Sequence, residues 1–109
     1  MYQRSRHFID FCIAGFTYYD GIECVQQMRV GDKLSLRLEG DNPHDPDAVA
    51  IFYMDRMIGY VPRNLNMVIS QLLYFGHDIF DVIIAQIDLT KHPEHQVRVI
   101  IRVAERRHN

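Results

Sequence analysis

The sequence predicts a mainly β domain: a small, strongly bent sheet or partly closed β-barrel of five to six strands, carrying one main α-helix. Three observations lead there. Short segments alternate apolar and polar residues with the period of a strand, and one stretch alone, beyond Arg63, switches to helical spacing. With 109 residues the chain is too short for two ordinary domains, and a sheet of that size hides its edges only by curling.

The first strand is expected at residues 8 to 14, with Ile9, Phe11 and Ile13 on one side and Asp10, Cys12 and Ala14 on the other. After the turn residues Gly31-Asp32, residues 33 to 39 set Leu34, Leu36 and Leu38 against Ser35, Arg37 and Glu39, a strand with one wet face. Ala48 to Met54 and Met57 to Val61 read as a hairpin joined across Asp55-Arg56. Leu65, Val68, Ile69, Leu72 and Leu73 then recur at helical spacing, with Pro62 and Asn64 as start signals and Gly76 placed to cap the end. Ile79 to Leu89 and Gln96 to Ala104 complete a long hairpin through a loop containing His92-Pro93-Glu94. No internal repeat, linker or low-complexity stretch interrupts this order.

Composition narrows the function. Apolar residues make up 48% and charged residues 24% of the chain, a globular balance. No apolar run approaches the ~20 residues that cross a membrane, and the start Met1-Tyr2-Gln3-Arg4-Ser5-Arg6-His7 lacks the apolar core of a signal peptide, so a cytoplasmic protein without a membrane partner is expected. Cys12 and Cys24 form no C-x-x-C pair and read as reduced structural thiols. The formal net charge is −2, so any affinity for polyanions must be local. Arg4 and Arg6 open the chain while Arg98, Arg102, Arg106 and Arg107, with His108, crowd its end; termini lying together would make one basic face.

Three segments concentrate unusual residues. The first, Ala14 to Gly21, places Tyr18 and Tyr19 side by side between glycines. Neighbours in an extended segment point opposite ways, so Tyr19 is expected inside and Tyr18 outside, as a base-stacking platform or a cover over the barrel mouth. The second, Glu39 to Ala48, is rich in turn formers, yet also offers the amide of Asn42 and the carboxylate of Asp45 to a ligand. Asp41, His44, Asp45 and Asp47 invite comparison with a calcium loop, but Pro43 and Pro46 break its spacing, and neither a metal nor another cofactor is expected. The third, Met57 to Asn64, ends a strand and opens the helix, setting Tyr60 and Arg63 where a phosphate would meet helix amides. Arginine opposes the dipole at a helix start, which hints at another reason for its place. His7, His77, His92, His95 and His108 read as surface residues; no acid–base pair or activated nucleophile stands out, so a binding module rather than an enzyme is expected.

In order, Ala-Gly before Tyr18-Tyr19-x-Gly, Gly31-Asp32-x-Leu-x-Leu, Asp41-Asn42-Pro-x-Asp45-x-x-Ala48-Val49 and Ile58-Gly59-Tyr60-Val61-Pro62 resemble the HIRAN domain. The resemblance covers about residues 8 to 76, with a less diagnostic hairpin at 77 to 104, and makes residues 1 to 109 one HIRAN-like domain. It implies a compact barrel related to the OB and SH3-like folds, of a kind fused to helicase-like ATPases of fork repair or standing alone in bacteria. It further implies capture of a single-stranded DNA 3′ end, with a separate helicase or nuclease as partner. By position, Tyr18 and His44 would stack bases, Asp45 would receive the 3′-hydroxyl and Arg63 would touch phosphate, with Tyr19, Asn42 and Tyr60 nearby. Thr17 stands where the DNA-capturing members carry a basic residue, and His44 replaces a larger aromatic. The alternative is a protein- or peptide-interaction module using the same groove or an open sheet edge.

Overall fold

The alternating segments become strands because their inward residues share one core. The computed structural model describes residues 4–105, in which β1 (Ser5–Cys12), β2 (Lys33–Leu38), β3 (Val49–Tyr53), β4 (Arg56–Tyr60), β5 (Phe80–Ile87) and β6 (Val97–Ala104) form one antiparallel sheet. Its order is β1-β6-β5-β2-β3-β4. Phe11, Val82, Ile84, Val99 and Ile101 from one half meet Leu34, Val49, Ile51 and Ile58 from the other. The halves join through a narrow seam, where β2 pairs with β5 only at Lys33–Ile83 and Leu34–Val82. Bulges at His7/Ile9, Ile51/Phe52 and Ile84/Gln86 add the twist that folds one half over the other.

The sheet does not close into a continuous barrel. Its two edge strands meet at one place, just beyond β1, where Ala14 and Tyr60 exchange backbone N–H···O bonds of 2.9 Å in both directions. Gly59 permits that approach. Its φ of 147° is open to glycine, and a Cβ there would lie 2.5 Å from the Ala14 carbonyl oxygen and against the Ile13 side chain.

Several local details differ from the sequence expectation. The β3–β4 turn is Met54-Asp55, with Met54 at φ 55°, one residue earlier than Asp55-Arg56. Arg56 starts β4 instead and pairs with Asp20 (3.1 Å) and Glu23, pinning the short helix α1 (Gly21–Cys24) to the hairpin. The expected single helix from Arg63 is divided into a 3-10 turn, Arg63–Leu65, and the helix α2, Met67–Tyr74. Val68 faces solvent and Ile69 is the buried anchor, with Leu65, Leu72 and Leu73 packed beside it. Gly76 caps α2 as expected, at φ 81°: its N–H reaches Leu73 O (3.0 Å) and that of His77 reaches Leu72 O (2.9 Å).

The chain ends do lie together, since β1 pairs with β6. Among the described residues this face is mixed in charge. Arg98 bonds Asp10, Arg4 bonds Glu105 (3.4 Å) and Arg102 Nε donates to Ser5 Oγ (2.8 Å), while Arg106, Arg107 and His108 lie outside the described residues. Among the described residues no helix is long and apolar enough to cross a membrane. Cys12 and Cys24 are free thiols, the second buried.

Gly59→Ala is expected to lower stability by about 2–4 kcal/mol, because backbone strain and overpacking act together at one atom. Gly40, where an added Cβ meets nothing within 4 Å, is the control. Thermal melts of Gly59→Ala and Gly40→Ala check this; equal melting temperatures would show that the edge contact carries little.

Candidate functional site

Where the sheet edges meet, they leave a groove of about 300 Å³. Ala14, Ala48 and Val61 line it with small or branched apolar side chains; Tyr19, Tyr60, Asn42, His44, Asp45, Arg63 and Asn66 supply its chemistry. Six of the seven residues expected from sequence thus converge. Tyr18 does not line it.

The tyrosine pair is arranged differently from expectation. Residues Phe16–Tyr18 form a 3-10 turn and not an extended segment, so simple alternation does not apply. Phe16 takes the core position, Tyr18 is 83% exposed, and Tyr19, expected inside, is 41% exposed. Tyr19 stacks edge-on against Tyr60, with ring centroids 5.5 Å apart at 75°. Tyr19 is therefore the tyrosine that walls the groove.

Tyr60 is held by its hydroxyl, which donates to Glu39 Oε1 at 2.7 Å. Burial, then the Glu39 carboxylate and Tyr19, push its pKa up, so the hydroxyl stays a donor. The same Glu39 oxygen accepts from Asn42 Nδ2 at 3.1 Å, and Asn42 Oδ1 accepts the backbone N–H of His44 (2.8 Å) and Asp45 (3.1 Å). Asn42 thus shapes the loop with the groups that the sequence offered to a ligand.

Asp45 is the centre of the opposite wall. Its Oδ1 accepts Asp47 N–H (2.9 Å), its Oδ2 accepts Asn66 Nδ2 (3.0 Å), and Arg63 Nε lies 3.7 Å from Oδ2. The Asn66 amide first, then the Asp47 N–H and the Arg63 charge, hold the carboxyl below the usual aspartate range against the effect of burial. Asn66 is not legible as a site residue in the sequence. It stands at the N-cap of α2 yet makes no side-chain cap bond, and at 3% exposure it turns its amide to Asp45. Ser70, one turn on and also 3% exposed, donates to Asp47 Oδ1 at 2.9 Å, so α2 grips the loop at two points.

Arg63 lies on the 3-10 turn and not on the first turn of α2, so the dipole conflict expected there does not arise. One of its guanidinium nitrogens donates to His44 O at 3.1 Å. The His44 ring is exposed on the groove wall. Among the described residues no three His, Cys, Asp or Glu side chains gather as metal ligands, and Asp45 and Asp47 are engaged by protein donors.

The HIRAN domain family model matches residues 7–104. The chain belongs to the HIRAN family. A protein from Lactobacillus plantarum shares this fold, with a TM-score of 0.78 at 20% identity over 96% of this chain and 100% of that one. The HIRAN domain of human HLTF superimposes with a TM-score of 0.65 at 13% identity, covering 92% of this chain and 77% of that domain. In sequence, the chain is 32% identical over 69 residues to the Fanconi-associated nuclease 1 homolog of Oryza sativa subsp. japonica. That match covers 60% of this chain and only 7% of the nuclease homolog.

The Asp45 bonds make stability depend on acid. A folded-state pKa below the unperturbed 3.8 gives a contribution complete above that value and lost as pH falls through the lower, folded value. Asp45→Asn sets an amide nitrogen where an ion was and is expected to lower the melting temperature at about pH 7, with the gap to wild type shrinking by about pH 2.5. A gap that stays constant across this range would mean that the charge of Asp45 contributes nothing.

Proposed function

We propose that this HIRAN domain binds nucleic acid, and that its groove takes the 3′-hydroxyl end of a single DNA strand. The observation carrying this is the placement of a tyrosine wall, Tyr19 on Tyr60, across one small groove from an ionised Asp45 flanked by Arg63. An aromatic face stacks any base, so it suits recognition of an end irrespective of sequence. An ionised carboxylate only accepts hydrogen bonds; it favours a terminal hydroxyl and repels a terminal phosphate. Arg63 then takes the preceding phosphate, with the exposed His44 ring as a second stacking surface. Family membership and the similarity to a nuclease homolog support a nucleic-acid role, and a separate nuclease or helicase is the corresponding partner.

Tyr19 takes the stacking role in the groove, and Tyr18 is exposed outside its lining. A labelled strand ending in 3′-hydroxyl should bind more tightly than one ending in 3′-phosphate, by about 1–3 kcal/mol. Asp45→Asn should narrow that difference, and Tyr19→Ala should cost about 1–3 kcal/mol on the hydroxyl strand with the fold retained. Fluorescence anisotropy at low and moderate salt reads all three. Equal affinity of wild type for both endings would sink end capture; absence of saturable binding even at low salt would leave peptide recognition as the function of the groove.

A further inference from the structure

The β5–β6 hairpin ends in a second groove, of about 580 Å³, lined by Cys12, Gln86, Lys91, His92, His95 and Arg98. Four of these six side chains are basic or carry imidazole, and no carboxylate is among the lining. Of the nearby carboxylates, two are engaged by loop donors and the third, Asp10, pairs with Arg98 on the groove wall. Glu94 accepts Thr17 N–H at 2.9 Å, Asp88 accepts both N–H and hydroxyl of Thr90, and Asp10 bonds Arg98 and His7.

The loop is built to present these groups. Residues Pro93–His95 form a 3-10 turn whose N-cap is His92, and His92 Nδ1 accepts the Glu94 N–H at 3.2 Å. That bond assigns the proton of the neutral ring to Nε2, a donor. Gln96 Nε2 donates to Lys91 O at 3.1 Å and anchors the base of the loop. The His92 and His95 rings stand 6.1 Å apart; Lys91 is exposed and both histidines are at least partly so.

One bond ties the loop of this groove to the turn that leads into the first. Glu94, between the two histidines, accepts from Thr17 on the 3-10 turn that carries Tyr18 and leads directly into Tyr19. The bond sets that turn beside the Pro93–His95 turn that carries the histidines. From this we infer that the second groove is a phosphodiester site, taking the backbone of the strand whose end sits between Tyr19 and Asp45. The inference rests on the end-binding function proposed above. Lys91 supplies charge, Arg98 adds guanidinium donors beyond its Asp10 pair, and the imidazole N–H groups supply directed donors, to phosphate oxygens that only accept. It also gives the 83% exposed Tyr18 a place on the path between the two sites.

The test compares 3′-hydroxyl strands of about three and about ten nucleotides, the longer within the site sizes of single-strand binding folds. Lys91→Ala combined with His95→Gln should weaken the longer strand about tenfold and leave the shorter one unchanged. The log–log salt slope for the longer strand should fall by about 0.7 for each phosphate that the variant no longer neutralises. Lys33→Ala, an exposed cation on β2, should change neither. The histidine ring resonances of the wild-type protein should shift with the longer strand only.

Equal weakening on both lengths, or none on the longer strand, overturns the phosphodiester path while the end-binding function stands. Ring shifts with inorganic phosphate but not with the longer strand would make the groove a free-anion site and overturn it likewise. If wild type binds neither strand, the end-binding function itself fails, and this path with it.

Discussion

The structure depends on one close approach, the Ala14–Tyr60 backbone exchange at the corner where β1 runs out beside β4. Elsewhere, apart from the two-pair β2–β5 seam, neighbouring strands are paired along their lengths. Here two hydrogen bonds bring opposite sheet edges together, and they form only because Gly59 leaves no Cβ between the Ala14 carbonyl and the Tyr60 segment. Tyr60 is thereby fixed on the rim, and the chain leaving Ala14 turns through Phe16–Tyr18 to set Tyr19 against it. The aromatic wall is thus a consequence of how the sheet nearly closes.

The facing wall has a different origin. Residues 41 to 48 contain little that packs, and polar bonds to structures on either side define their shape. Glu39 links Tyr60 to Asn42, while Asn66 and Ser70 tie Asp45 and Asp47 to α2. Asn66 gives up a capping bond, worth about 1 kcal/mol at an average N-cap, to make one of these links. Such a trade suits a residue that positions a carboxylate more than it suits one that starts a helix.

Strand existence is legible in the sequence because period-two alternation survives in almost any context: Phe11, Ile13 and Leu34 all point inward as the pattern implies. The hairpin turn sits one residue from its expected place because Met54, with no sequence mark for positive φ, takes the position that glycine would advertise. The faces of the tyrosine pair differ for a physical reason too, since the 3-10 turn Phe16–Tyr18 removes the alternation that assigns neighbours to opposite sides. Six groove residues are recognisable because turn and strand-end chemistry marks them locally. Asn66 is hidden because its partner, Asp45, is 21 residues away, and an isolated polar residue beside Ile69 reads as ordinary helix surface. His92 and His95 read as surface residues one at a time; what no single position shows is that a hairpin end gathers them with Lys91 and Arg98.

The β2–β5 seam has a mechanical consequence. Two register pairs, Lys33–Ile83 and Leu34–Val82, with flanking bonds between Ile84 and the Gly31-Asp32 turn, carry the whole connection between the halves on that side. Across the molecule the counterpart is the Ala14–Tyr60 exchange. Local opening is cheapest where fewest backbone bonds must break together. The two halves therefore resemble clamshell valves with a narrow hinge; on the clasp side the Asp20 N–H bond to Met57 O (2.9 Å) and the Arg56 pairs reinforce the Ala14–Tyr60 exchange at the mouth between Tyr19 and Asp45. Among the strand amides, exchange should be slowest in the β5–β6 ladder and faster at these two junctions, where the ladder is narrowest.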